Sequence, residues 1–327
     1  MKLSLVCSLL LASAYSASAQ TAATLAAVGY TSPAPIPVVP GEVVTLFYRN
    51  VPPLPDGSLR TAAANTVPLP TVLAGLSVHV SQPPVNFPIF AVRQENDCTD
   101  AQGNPANPSN PANPACLLTT LRVQVPFRLQ VVKEMVLDVD GQASRSFALS
   151  QITDNAHVLT SCDLTWDTNW FSSCSRVAFH GDGTQITGKS PARPGETIVV
   201  YLWGLGQTSP IVPSGEPSPP GVVLDQFPGV PGVRARFLDG PTILTDIPAF
   251  YSPEDAVDPG SPIDFVGLTP GQIGLYQINV AIPQSLIPTT SCGDLIFGTT
   301  DKIPANAVLH ITTLYSGTEE LGFCLKP

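Results

Sequence analysis

The stretch Pro194-Gly195-Glu196-Thr197-Ile198-Val199-Val200-Tyr201-Leu202 decides how this chain is read, because its pattern recurs elsewhere in the chain. Its other copy is Pro40-Gly41-Glu42-Val43-Val44-Thr45-Leu46-Phe47-Tyr48, 154 residues upstream. In each, a Pro-Gly turn leads into a run of β-branched and aromatic residues, the composition of a strand whose pairing starts at a fixed place. Ile198 to Trp203 is apolar on both faces, which puts this strand inside a sandwich rather than along its surface.

Outward from that stretch, two further segments recur in the same order. Ala74-Gly75-Leu76-Ser77-Val78 matches Pro231-Gly232-Val233-Arg234-Ala235, and Val123-Gln124-Val125-Pro126 matches Val280-Ala281-Ile282-Pro283, both 157 residues apart. Three matches in register point to internal duplication. The repeats read as antiparallel β. Leu76, Val78 and Val80 alternate with Ser77, His79 and Ser81, and Tyr276, Ile278, Val280 and Ile282 alternate with Gln277, Asn279 and Ala281. Asp140-Gly141 between Met135–Val139 and Ser144–Leu149 is a hairpin signal. No segment keeps a helical period over three turns. The expected fold class is all-β, with two immunoglobulin-like β-sandwich domains of about seven strands each from an internal duplication; one large β-structure is the alternative. The expected boundaries are a signal peptide over 1–19, the first repeat over 20–155, and the second over 156–327 with a disulfide-containing connector.

Composition excludes other classes. Of 327 residues, 43% are hydrophobic and 12% charged, against about 25% charged in an average domain, so the chain is too apolar to be disordered. The 36 prolines and 25 glycines leave little room for long helices. A net charge of −10 with only 15 basic residues argues against a nucleic-acid partner.

Lys2, the apolar run Leu3–Ala14 and Ala17-Ser18-Ala19 form the pattern of a signal peptide cut after Ala19. The run is shorter than the roughly 20 residues that cross a bilayer, and no other segment spans. The expected location is therefore secreted, cell-surface or periplasmic, with no membrane span after signal removal. Cys7 departs with the signal, leaving Cys98, Cys116, Cys162, Cys174, Cys292 and Cys324. An even number in an exported chain reads as disulfides. Sequence alone leaves all pairings open; proximity favours Cys98 with Cys116, Cys162 with Cys174, and Cys292 with Cys324. The spacings and the four histidines do not make a zinc site.

The runs Lys189-Ser190-Pro191-Ala192-Arg193-Pro194-Gly195-Glu196, Trp203-Gly204-Leu205-Gly206-Gln207-Thr208 and Leu268-Thr269-Pro270-Gly271-Gln272-Ile273-Gly274-Leu275-Tyr276 resemble the acidobacterial, Solibacter-type uncharacterised C-terminal domain family of exported proteins over residues 145 to 327. The first repeat has Arg49-Asn50-Val51-Pro52 where the second has its Gly-Leu-Gly turn. The resemblance implies a secreted or surface-attached, β-rich, immunoglobulin-like protein and carries no catalytic residues across.

Signals of chemistry are sparse. There is no G-x-S-x-G elbow, H-E-x-x-H, Walker loop or dinucleotide fingerprint. His79 and His310 fall on polar faces of strands, and His157 and His180 lie in the connector, where His180-Gly181-Asp182-Gly183 reads as a turn. Two acidic loops, with Glu95, Asp97 and Asp100 in one and Glu254, Asp255 and Asp258 in the other, are candidates for Ca²⁺; the plainer reading is solvated loops, and no other cofactor is expected. Asp138-Val139-Asp140-Gly141 has Leu149 where a calcium loop needs a glutamate. The Asn-Pro run between Cys98 and Cys116, with Asn107 and Asn110, reads as an exposed recognition tip or as a tolerated insertion. Trp166 and Trp170 read as a sugar-stacking platform or as packing at the domain junction. The function expected from these features is a non-enzymatic binding, adhesion or envelope role toward an extracellular protein or glycan. A carbohydrate-binding accessory module is the alternative and a hydrolase the third reading.

Overall fold

Period-two patterning and frequent turns give antiparallel sheets in both halves of the chain. The computed structural model describes residues 22–31, 33–34, 36–81, 84–97, 114–129, 134–166, 174–225, 233–239, 263–288, 291–293, 295–297, 303–313 and 315–327. In the first half, Val43–Arg49 pairs with Leu117–Gln124, which pairs with Ile89–Asn96; Thr24–Gly29 and Thr61–Ala63 continue this sheet on its two sides. Facing it are Leu76–Ser81, Glu134–Val139 and Gln142–Ala148. Alternate residues point inward from both sheets. Val44, Leu46, Leu121 and Val123 meet Leu76, Val78, Met135 and Leu137 in one buried core, each such side chain contributing about 1.5–3 kcal/mol of transfer free energy.

The second half has the same pairing. Thr197–Trp203 pairs with Tyr276–Ala281, which pairs with Ile263–Leu268, while Val233–Asp239 pairs with Ala307–Thr313 and that with Gly317–Phe323. Register agrees as well. Val44 lies opposite Val123, and Ile198 opposite Val280. Ile89 and Ile263 face those same two valines, and each is followed by a one-residue irregularity. The protein is thus all-β and sandwich-like, as its patterning predicts. Asp140 and Gly141 turn the expected hairpin with φ of 50° and 77°, the left-handed pair of a type I′ turn. Among the described residues the one α-helix is Ser161–Thr165, started by a reciprocal Thr160–Asp163 capping box.

Cys162 pairs with Cys174, and Cys292 with Cys324, with Cα–Cα distances of 5.3 Å in both cases. Cys116 is disulfide-bonded too; Cys98 lies outside the described residues. Among those residues no helix is long and apolar enough to cross a membrane.

The halves meet over Val43, Leu159, Val177 and Trp203, with Tyr30 and Phe90 packed against them. Phe127 of the first half is buried in the core of the second, and its carbonyl accepts from Gln207 Nε2 at 2.8 Å. The connector is held from the second half: Asp154 accepts from Thr313 Oγ1 at 2.6 Å and from the Ser316 N–H at 2.8 Å.

Candidate ligand site

The two Pro-Gly-Glu turns are built alike and surrounded differently. Gly41 and Gly195 take φ of 83° and 81°, a conformation that glycine reaches without a Cβ clash. In the first copy the Glu42 Oε2 accepts from the Val39 N–H at 2.9 Å; in the second the Glu196 Oε2 accepts from the Arg193 N–H at 2.9 Å. Each turn is held to the chain leaving its sandwich by a short parallel bridge, Val38 to Gln151 and Ala192 to Leu325.

The other carboxylate oxygen of each glutamate bonds a ring at an equivalent place. Gly29 lies opposite Thr45, and Phe179 opposite Val199, three residues after Glu42 and Glu196 respectively; Tyr30 and His180 come next. The Tyr30 hydroxyl bonds Glu42 Oε1, and His180 Nδ1 bonds Glu196 Oε1 at 2.5 Å.

In the first half the second half covers this end. The Tyr30 ring stacks on His157 with centroids 3.7 Å apart, and Trp203 lies behind at 5.6 Å. The Arg122 guanidinium sits 5.2 Å from the Trp203 ring centroid, and burial lowers its pKa. Asn155 Nδ2 donates to the Tyr30 oxygen and to the Pro37 carbonyl, each at 3.1 Å. Glu42 is fully buried; desolvation outweighs the bonds from Tyr30, Val39 and Asn155 and pushes its pKa up to about 8. The Tyr30 hydroxyl donates to Glu42 Oε1 and also lies 3.1 Å from the Asn155 carbonyl, so the buried carboxyl keeps hydrogen-bond partners in place of water. His157 in turn reaches Asp163 Oδ2 at 2.9 Å. Burial raises the Asp163 pKa, but that bond, the His157 charge and the bonds from Thr160 together hold it below the ordinary value.

The matching end of the second half is open. A cavity of about 880 Å³ lies there, lined by His180, Asp182, Lys189, Arg193, Glu196 and Lys326, among others. Local turns place these groups. Asp182 Oδ1 accepts from the Thr184 N–H and hydroxyl at 2.9 and 2.7 Å. Thr187 and Ser190 exchange backbone bonds of 3.0 and 3.1 Å, and the Lys326 N–H donates to the Ala192 carbonyl at 2.8 Å. His180 Nε2 lies 3.1 Å from Ser190 Oγ and 3.2 Å from the Ser190 carbonyl. Burial lowers the His180 pKa, yet the bonds to Glu196 and Ser190 and the charges of Glu196 and Asp182 outweigh it and raise the value.

Electrostatically the cavity differs from its surroundings. Arg49, Arg60, Arg93 and Arg176 elsewhere pair with Asp97, Asp140, Glu95 and Glu319, while Arg122 and Arg128 stand singly with no ion pair among the described residues; the cavity is distinct in gathering three such cations in one place. Lys189, Arg193 and Lys326 line the cavity without an ion-pair partner among the described residues, in a chain with only 15 basic residues.

The candidates read from the sequence lie elsewhere. Glu95 and Asp97, two of the calcium candidates, are paired with Arg93 and Arg49; Asp100, Glu254, Asp255 and Asp258 lie outside the described residues. No group of three or more His, Cys, Asp or Glu able to hold a metal occurs among the described residues. Trp166 sits at the junction, its Nε1 donating to Thr45 Oγ1 at 3.4 Å; Trp170, Asn107 and Asn110 fall outside the described residues. His79 and His310 lie beside Asp138 at 3.0 Å and Glu320 at 3.3 Å. The cavity is not legible in the sequence because its parts come from three turns and the chain's last strand-like segment. The one available signal is the density of cations in Lys189–Arg193 beside the second Pro-Gly-Glu.

No family model matches the chain, and no curated protein matches it. Among solved structures, the surface glycan-binding protein PbSGBP-B from Prevotella bryantii is similar, with 9% identity and a TM-score of 0.22 over 91% of this chain. The aligned part spans 41% of that protein's chain.

Proposed function

We propose that this chain is an exported, non-enzymatic binding protein made of two β-sandwiches related by duplication, and that its ligand, of the carbohydrate class, occupies the cavity at the open end of the second. One observation carries this reading: the end of the sandwich that is filled by protein in the first half is an open, cation-lined cavity in the second. Binding sites concentrate in such concave places with a few convergent polar groups on a rigid scaffold. Gly181 offers a clean way to close the cavity, because a Cβ there meets only the Thr197 carbonyl at 3.7 Å. Purified mature protein is expected to retain a ligand on a glycan array, and Gly181→Trp is expected to lose it with an unchanged melting temperature. Retention of the same ligand by Gly181→Trp overturns the site.

A second reading rests on the hydrogen-bonded line from Ser190 Oγ through His180 to Glu196, the order of a nucleophile, base and orienting carboxylate. Two features weigh against it. The Ser190 N–H is committed to the Thr187 carbonyl and Pro191 has no N–H, so neither neighbouring amide can stabilise an oxyanion. Glu196 also caps its turn as Glu42 does, a role that needs no catalysis. A fluorophosphonate probe is expected to leave Ser190 unlabelled; labelling that Ser190→Ala abolishes would establish the hydrolase instead.

A further inference from the structure

Resting on that reading of the site, we propose that the ligand is an acidic polysaccharide, whose anionic sugar unit is held by Lys189, Arg193 and Lys326. Charge is the first ground. Three cations and two carboxylates, Asp182 and Glu196, line the cavity, a formal balance of +1 before His180 is counted. Both carboxylates are already engaged, Asp182 by Thr184 and Glu196 by His180 and the Arg193 N–H, whereas the side-chain donors of the three cations have no hydrogen-bond or ion-pair partner among the described residues. In a chain of net charge −10, such a cluster is held against a ready supply of neutralising carboxylates, and an anion is what completes it.

Size and lining chemistry are the second ground. A cavity of about 880 Å³ is far larger than a simple ion and matches the volume of an organic ligand. Its described lining holds no large aliphatic side chain and no Phe, Tyr or Trp. A peptide, which anchors through aromatic or aliphatic side chains, finds no pocket for them, and a neutral sugar finds no Phe, Tyr or Trp ring to stack on. Ser190 Oγ and the Asp182 oxygen not bonded to Thr184 instead offer partners for ring hydroxyls. A unit that carries hydroxyls together with one carboxylate or sulfate uses both sets of groups, and the guanidinium of Arg193 suits the planar carboxylate in particular.

Isothermal titration calorimetry with length-matched oligosaccharides tests this: an oligogalacturonate, a sulfated oligosaccharide and a neutral galactose oligomer, each against the wild-type chain, Arg193→Gln, Lys189→Gln and Gly181→Trp. At least one acidic oligomer is expected to bind, with affinity falling as ionic strength rises. Each charge-removing variant is expected to weaken it by about tenfold, the loss of one charge-assisted bond, with circular-dichroism melting unchanged. The carboxylated and sulfated arms identify which anionic group is read. Neutral oligomer bound as tightly as the acidic ones, indifferent to Arg193→Gln but lost in Gly181→Trp, overturns the anionic class and leaves the cavity as the site. Acidic oligomer that survives Gly181→Trp, or no binding by any of the three, overturns both.

Discussion

The Arg60 guanidinium is wholly buried, and its donors are all directed. Nε donates to the Pro52 carbonyl at 2.7 Å, Nη1 to the Ala74 carbonyl at 2.7 Å and to Asp140 Oδ1 at 3.0 Å, and Nη2 to Asp140 Oδ2 at 2.5 Å. This one side chain satisfies the loop carbonyls and the Asp140-Gly141 hairpin turn together. Truncation strands those carbonyls, so Arg60→Met is expected to cost about 3–5 kcal/mol. Asp140→Asn keeps a residue that tolerates positive φ but leaves the buried guanidinium one acceptor here in place of two, so about 1–3 kcal/mol is expected. Urea denaturation of both variants checks the order; equal losses would show that Asp140, and not the carbonyl network, is what Arg60 serves. Glu42 and Glu196 show how far surroundings decide a residue's state. The same turn and the same cap leave one glutamate in the interior with a raised pKa and the other beside an open cavity, and Arg193 in place of Val39 is the local difference that marks the second.

Among elements, the turn after Thr197–Trp203 carries the contact between the halves. At Gly204, with φ of 78°, a Cβ would land on the Asn155 carbonyl and come within 3.0 Å of Glu42 Oε1; at Gly274 it would meet the Gly41 carbonyl at 2.7 Å. These glycines let backbone approach backbone where the second half seats on the first Pro-Gly-Glu turn. In the first repeat, Asn50-Val51-Pro52 replaces the Gly-Leu-Gly turn, and Val51 is buried in its own core instead. Gly204→Ala is expected to lose about 1–3 kcal/mol and to open the 150–160 connector to limited proteolysis. Gly183→Ala serves as the comparison: φ is 85° there but no atom lies within 4 Å, so only the backbone penalty of about 1 kcal/mol applies. Equal proteolytic sensitivity in the two variants would separate Gly204 from the junction.

For the whole molecule, Glu42, His180 and Asp163 are among the groups that shape the pH dependence of stability. Glu42 has a folded pKa of about 8 against an ordinary 4.5, so between those values folding takes up a proton. Its contribution is complete below the ordinary value and fades as pH rises toward about 8. The raised pKa of His180 acts in the same sense, since the stability it adds is present below the ordinary histidine value and lost as pH climbs through the raised one. Asp163, held below its ordinary value, works in the opposite sense and its contribution disappears as pH falls. Stability should therefore peak on the acid side of neutrality. Glu42→Gln, which mimics the neutral acid, is expected to flatten the decline toward pH 8 and to be the more stable form there, by on the order of a few kcal/mol. Melting curves across the pH range decide it; an unchanged slope in Glu42→Gln would place the charged form of Glu42 in the folded protein.

The sequence by itself determined the β class, the places where strands start and the inward residue of each pair, because period-two patterning and Pro-Gly, Asp-Gly and Gly-Leu-Gly turns act over a few residues. It also suggested the correspondence of Val123 with Val280; Val123 lies opposite Val44, and Val280 opposite Ile198. Only the tertiary structure decided where chemistry sits. His180, Ser190, Glu196 and Lys326 gather through a cross-strand pair, a turn and a parallel bridge between Ala192 and Leu325, contacts that span up to more than a hundred residues and leave no local pattern. The fates of Tyr30 and Glu42 were likewise settled by what lies across the junction: desolvation depends on the partner surface, and that surface belongs to residues 155 to 206.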